Sequence, residues 1–245
     1  MNQNRLMEVC MSPALLHLYD TKDKNVIIID IFRATSTITA AIANGAKTVV
    51  PVASVEECIN LSNVLENCIT AGERDGKVAP GLSHGNSPLE YDHDFIAGKN
   101  LALTTTNGTR LLHMVKDAAN IIIGSFLNVS AVCDFLMNSD KDVILACASW
   151  KDRVNMEDTL FAGAVVAKIG QHFNCKCDSA MIAKEMYKDA TSRGDLLEYL
   201  KDSSHYRRLT GFGLMEDLIY CTTEDKHDVV PVLKGNVLVD YKTEI

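Results

Sequence analysis

The chain carries an uninterrupted branched apolar run, Val26-Ile27-Ile28-Ile29, that ends on Asp30 and is followed three residues later by Arg33. A strand covered on both faces is apolar continuously, whereas a strand with one wet face alternates. The run therefore predicts a central strand of a parallel sheet, and that confines the chain to α/β architectures. Similar runs return at Leu101 to Thr104, Asn120 to Ile123 and Val143 to Ala148. Further strands are expected at Lys47 to Val52 and Cys68 to Ala71, with an edge strand near Arg5 to Met11.

Helix signals alternate with these runs. Ala34 to Asn44 is rich in Ala, Thr and Ile and is stopped by Gly45. Ser54 with Glu57 three residues on forms a capping box for a helix to about Glu66. Helices are also expected at Thr109 to Lys116, Ser130 to Met137 and Met156 to Ile169. Ser179 to Tyr220 reads as helical segments broken by Gly194 and Gly211, and apolar runs around Lys234-Gly235-Asn236 predict a terminal hairpin. This alternation implies a mixed, largely parallel sheet with helices on both faces. No linker separates domains, so residues 1–245 are expected to form one α/β domain.

The formal net charge of -8 argues against a nucleic-acid binder, which needs a basic face. No apolar run approaches membrane-spanning length, and the polar first residues lack a signal core. The expectation is a soluble cytoplasmic protein. Eight scattered cysteines read mostly as small core hydrophobes, and Cys175-Lys-Cys177 lacks a second pair at zinc spacing.

The chemistry gathers at the strand ends. They carry Asp30 and Arg33; Glu73 and Arg74; Thr104 to Arg110; and Ser149, Arg153, Glu157 and Asp158. If the strands are parallel, these loops share one sheet edge, where ligands bind in open α/β sheets. Carboxylates suit Mg²⁺, arginines grip oxyanions in a fork, and helix starts add free N–H groups. Each signal also has a plain structural reading. Asp30 can cap a helix, Glu73-Arg74 can be a surface pair, the threonines can form a strand, and Glu157-Asp158 can favour a helix dipole. The long loop from Gly72 to Glu90 is read as functional from its length, whereas His84 within it reads as a surface residue. No P-loop occurs, Arg153 falls one place too late for a Cys-x5-Arg loop after Cys147, and Phe32 stands where a two-aspartate phosphatase start needs its second acid.

Five ordered blocks resemble the 2-phosphosulfolactate phosphatase family: Asp30-Ile-Phe-Arg33-Ala-Thr35-Ser-Thr37-Ile, Ala71-Gly-Glu73-Arg74, Gly85-Asn86-Ser87-Pro88-Leu-Glu90, Thr104-Thr-Thr-Asn-Gly-Thr-Arg110 and Glu157-Asp158-Thr-Leu-Phe-Ala-Gly163. Asp228-Val-Val-Pro231 also looks familiar. The resemblance implies a three-layer α/β/α fold and Mg²⁺-dependent hydrolysis of (2R)-2-phospho-3-sulfolactate to sulfolactate and phosphate, a step of coenzyme M biosynthesis in methanogens. One departure is Ser83, where the family pattern carries an acid two residues before Gly-Asn-Ser-Pro.

The site expected on this basis has Asp30, Arg33, Glu73 and Arg74 as catalytic residues. Mg²⁺ is held by Asp30 and Glu73 with Glu157 or Asp158. Substrate contacts come from Thr35, Asn86, Ser87, Thr105, Thr106, Asn107, Gly108, Thr109, Arg110 and Arg153. Direct attack by water is preferred, with Asp30 as nucleophile the competing mechanism. The expected partner is a small anionic phosphorylated substrate, with a homodimer as the assembly. Two other readings stay open: hydrolysis of another phosphorylated 2-hydroxy acid, and non-catalytic binding of a small phosphorylated or sulfonated acid.

Overall fold

The computed structural model describes residues 5–74, 76–105 and 108–243, with 108 and 109 described by backbone alone. Its strands are β1 (Met7–Cys10), β2 (Asn25–Ile29), β3 (Thr48–Val52), β4 (Cys68–Arg74), β5 (Lys77–Val78), β6 (Asn100–Thr104), β7 (Asn120–Gly124), β8 (Val143–Cys147), β9 (Pro231–Lys234) and β10 (Val237–Asp240). Its helices are α1 (Ala34–Ala43), α2 (Val55–Ser62), α3 (His93–Ile96), α4 (Gly108–Met114), α5 (Val129–Asn138), α6 (Met156–Ile169), α7 (Asp178–Ser192), α8 (Leu196–Leu200), α9 (Ser204–Gly211) and α10 (Met215–Cys221).

The strands form one mixed sheet in the order β1-β8-β2-β7-β9-β10-β3-β6-β4-β5. β1, β8, β2 and β7 are mutually parallel, and so are β3, β6 and β4. The C-terminal hairpin β9-β10 lies between these blocks and pairs antiparallel with both. It therefore reverses the strand sense, and the two parallel blocks run in opposite directions. This corrects the expectation of strand ends along one edge of a single parallel array. The loops nevertheless meet, since Asp30 after β2 and Thr105 after β6 line one cleft. Each seam with the hairpin is a single residue pair, Ile122 with Val232 and Leu238 with Val49. Strand twist at such short seams lets the blocks turn towards each other.

β2 shows why its sequence is apolar throughout. Ile27 and Ile29 pack into a core with Phe126, Leu160, Phe161 and Val165, under α5 to α7. Val26 and Ile28 enter a second core with Ile38, Ile42 and Leu111, under α1 and α4. Alternate side chains thus serve opposite faces of the sheet, which makes three layers. Burying each such side chain stabilises the fold by about 2 kcal/mol.

The α2 cap forms in part as expected. Ser54 Oγ accepts from the Glu57 amide at 3.1 Å, but the Glu57 carboxylate accepts from the Ala53 amide at 3.0 Å instead of from that of Ser54. β4 runs on past Ala71 to Arg74 and turns back through β5, so Glu73 and Arg74 belong to a short hairpin. α3 lies between the loop expected to end at Glu90 and the strand expected from Leu101, where the sequence predicts no element. All eight cysteines are free.

Candidate active site

The cleft at the strand ends holds about 200 Å³ and is lined by Asp30, Phe32, Arg33, Glu73, Arg74, Gly76, Asn86, Thr105, Trp150, Lys151, His205, Arg208 and Leu209. A larger cavity of about 1050 Å³ lies away from it, against β3, α2, α4 and the C-terminal hairpin, with a mostly aliphatic lining.

Asp30 enters the cleft because β2 ends there, under the first turn of α1. Its amide donates to Thr35 Oγ1 at 3.1 Å, and its carbonyl accepts from the Thr35 amide at 3.0 Å. Burial pushes its carboxyl up from the ordinary 3.8 to about 6. The nearby His205 opposes that rise, while Glu157 and Glu73 add to it. Thr35, expected to contact substrate, instead locks this turn.

Glu157 and Asp158 open α6 and are fully buried. Asp158 Oδ1 accepts from the Ile31 amide at 2.9 Å, and its Oδ2 accepts from the Ser149 amide at 3.0 Å. It straps the ends of β2 and β8 together, with both oxygens occupied by backbone, and so differs from the metal ligand expected there. Burial and the neighbouring Glu157 and Asp30 push its carboxyl well above the usual range. Glu157 Oε1 meets His205 Nδ1 at 2.5 Å, and its Oε2 is buried without a partner. The His205 ring also stands edge-on to Phe32, with centroids 5.9 Å apart.

Arg33 is 4% exposed and its guanidinium bonds Asp217 of α10, whose other oxygen accepts from Ser87 Oγ at 2.7 Å. Ser87, expected on substrate, is thus part of the mount for Arg33. Glu73 Oε2 accepts from the Gly76 amide at 2.9 Å, and Arg74 donates to the Glu73 carbonyl at 2.7 Å. Asn86 lines the cleft with a buried Oδ1 that has no partner.

Arg110, expected on the substrate, is exposed and pairs with Asp152 at 2.9 Å, outside the cleft lining. Arg153 lines a smaller adjoining cavity. Thr106 and Asn107 lie outside the described residues, and Gly108 and Thr109 begin α4. His84 is outside the cleft lining, stacked near Phe95 with ring centroids 4.7 Å apart. Ser83 donates to the Thr70 carbonyl at 2.8 Å.

Five site residues were missed by sequence reasoning: Trp150, Lys151, His205, Arg208 and Asp217. Trp150 had one available signal, being the only tryptophan in the chain. The last three belong to helices α9 and α10, where helical spacing alone does not mark a cleft-facing side.

Among the described residues no set of three or more His, Cys, Asp or Glu side chains is spaced to hold a metal ion. Mg²⁺ needs less, since one or two carboxylates with water and substrate phosphate complete its shell. The unpartnered Glu157 Oε2 and the ionisable Asp30 beside it fit that smaller demand. A mixed α/β sheet whose strand ends gather carboxylates, guanidinium groups and a glutamate-held histidine defines the equipment of a phosphoryl-transfer enzyme.

Comparison with known proteins sharpens this class. The sequence model of the 2-phosphosulpholactate phosphatase family matches residues 10–236, and the chain belongs to that family. Relatives named "Probable 2-phosphosulfolactate phosphatase" include one from Caldanaerobacter subterraneus subsp. tengcongensis, 41% identical over 89% of this chain and 91% of the relative. Another, from Thermotoga maritima, is 37% identical over 96% and 98%, and one from Clostridium perfringens strain 13 is 36% identical over 91% and 92%. The family makes this chain a phosphoric monoester hydrolase.

Proposed function

We propose that the chain is a Mg²⁺-dependent phosphatase that hydrolyses (2R)-2-phospho-3-sulfolactate to 3-sulfolactate and phosphate. The observation that carries this reading is the meeting of Asp30 and Glu73 with Arg33 and Arg74 in one cleft, from segments about forty residues apart. The names of the relatives supply the substrate.

Asp30 and Glu157 would hold Mg²⁺, which when bound supplies charge neutralisation at the phosphoryl oxygens. Arg33, fixed in orientation by Asp217, and Arg74 grip those oxygens as charge spreads over them. The glutamate at His205 Nδ1 selects the Nδ1–H tautomer and leaves Nε2 to take a proton from an attacking water. Direct attack by water is retained over a covalent intermediate, and trapping a phosphate on Asp30 would reverse that preference. The enzyme is placed in the cytoplasm, and among the described residues no helix is long and apolar enough to cross a membrane. A homodimer completes the reading, checked by a solution mass twice that of one chain.

The decisive experiment is phosphate release from phosphosulfolactate with Mg²⁺ and with EDTA. Release with Mg²⁺ and loss with EDTA are expected. The rival reading is a non-catalytic binder of small phosphorylated or sulfonated acids. Binding without release under either condition would establish that rival. Phospholactate and phosphoglycerate separate the family substrate from other phosphorylated 2-hydroxy acids.

A further inference from the structure

The turn after β8 is unusual. Trp150 and Arg153 exchange both backbone hydrogen bonds, at 3.1 and 3.0 Å, around a two-residue loop. The loop residues Lys151 and Asp152 have φ of 52° and 61°, and Ser149 just before has 54°. Positive φ at both central positions marks a type I′ hairpin turn, for which Asn-Gly is preferred. Three non-glycine residues in the left-handed region persist only where the surroundings hold them, and such positions cluster at functional sites. Here the holding groups are visible. The Ser149 amide donates to Asp158, Ser12 Oγ donates to the Asp152 carbonyl at 2.8 Å, and Arg110 pairs with the Asp152 carboxylate.

What the turn presents is a cross-strand pair, Trp150 and Arg153, whose side chains project to one face. Arg208 of α9 lies over the Trp150 ring at 4.4 Å. Trp150, Arg153 and Arg208, with Val154, Asn155 and Ser204, line a cavity of about 130 Å³ that shares Trp150, His205 and Arg208 with the catalytic cleft. Among the described residues neither Arg153 nor Arg208 has a carboxylate partner, since Asp152 is taken by Arg110 and Glu157 by His205. Asn155, 8% exposed at the start of α6, makes no side-chain cap and has a buried Oδ1 without a partner. The cavity thus offers two guanidinium groups and a hydroxyl beside the Trp150 ring, over which Lys151 Nζ also lies at 4.6 Å.

We propose that this cavity is a second oxyanion subsite, which takes a sulfonate at the end of the substrate that is not transferred. This rests on the phosphatase reading above. A sulfonate has three oxygens for two guanidinium forks and the Ser204 hydroxyl. The transferred phosphoryl group stays with Arg33 and Arg74, and Arg208 stands between the two sites.

Arg153 lines the second cavity but not the first, so Arg153→Ala tests the assignment without touching the phosphoryl grip. Its exposed side chain leaves the fold intact, checked by circular dichroism. The preference in kcat/KM for phosphosulfolactate over phospholactate, which lacks the sulfonate, is expected to fall about tenfold, through KM. O-phosphoisethionate, which lacks the carboxylate, should follow phosphosulfolactate, and Arg153→Lys should restore part of the preference. Equal losses on all three esters, or none, would overturn the proposal. Trp150, the only tryptophan, supplies a readout independent of turnover. Methanesulfonate should change its emission saturably, with an apparent Kd raised about tenfold in Arg153→Ala, whereas inorganic phosphate should show no such shift. No saturable change with methanesulfonate in the wild-type protein would also overturn it. If the wild-type protein released no phosphate from any ester, the phosphatase reading would fall, and the methanesulfonate titration would still decide the subsite.

Discussion

Asp30 shows how one side chain couples stability to function. Its folded pKa of about 6 lies above the ordinary 3.8, chiefly through burial. A raised carboxylate stabilises the fold fully below the unfolded pKa, and that contribution is lost as pH rises through the folded value. In EDTA the wild-type protein should therefore lose about 2 kcal/mol between pH 4 and pH 7 from this group. Asp30→Asn removes the dependence, so its Tm in EDTA should exceed that of the wild type at pH 7.5, and the gap should close towards pH 4. Mg²⁺ should raise the wild-type Tm at pH 7.5 and leave the variant unmoved. Asp217 is the counterpart for Arg33. Asp217→Ala strands a buried guanidinium, which costs about 3–5 kcal/mol, read as a lower denaturant midpoint. kcat/KM should fall with it, whereas Asp217→Glu should recover part of both. Asp30 and Arg33 were legible in the sequence as cleft residues because they follow an apolar run that marks a strand end, whereas Glu73 and Arg74, placed by the same signal, lie within β4 as it turns into β5. Asp217 was not legible, because its significance depends on a partner 184 residues away.

At the scale of elements, α6 carries Glu157 and Asp158 into the site and is positioned by α7. The two helices approach at Gly163, where an added Cβ would lie 2.0 Å from the Ala183 carbonyl oxygen and 2.9 Å from Tyr187 Cβ. Backbone cannot yield as a flexible side chain can, so Gly163→Ala must push the helices apart. A loss of about 1–3 kcal/mol is expected, measured by thermal melting. Activity should fall further than stability, since Glu157 moves with α6 and its contact with His205 of α9 is disturbed. Gly124→Ala, whose added Cβ would meet the side chains of Ile27 and Phe161 at 2.7 Å, should cost less activity because side chains can yield where the Ala183 backbone cannot. The sequence marks α6 by its run of small residues, and the family block ends on Gly163 itself. It does not mark the face of α9 that delivers His205 and Arg208, since that helix is mostly polar and several of its residues are exposed.

At the scale of the whole molecule, the C-terminal hairpin determines how the site is assembled. Without β9 and β10, the inner edges of β7 and β3 would face each other unpaired, and open edges invite wrong pairing. The hairpin itself was legible from its two apolar runs and the Lys-Gly-Asn turn. Its insertion between the blocks was not, because strand order depends on long-range pairing that local patterns do not encode. Leu238 tests the consequence. It is fully buried, pairs with Val49 and Leu233, and packs in the same core as Val26 and Ile28 of one block and Leu101 and Leu103 of the other. That shared core should make the blocks unfold together. Calorimetry of the wild-type protein should show one transition, with calorimetric and van't Hoff enthalpies in agreement. Leu238→Ala should lower it by about 2–5 kcal/mol while leaving it single. A split into two transitions would show that each block holds its own fold, and that the hairpin joins them only as a strap.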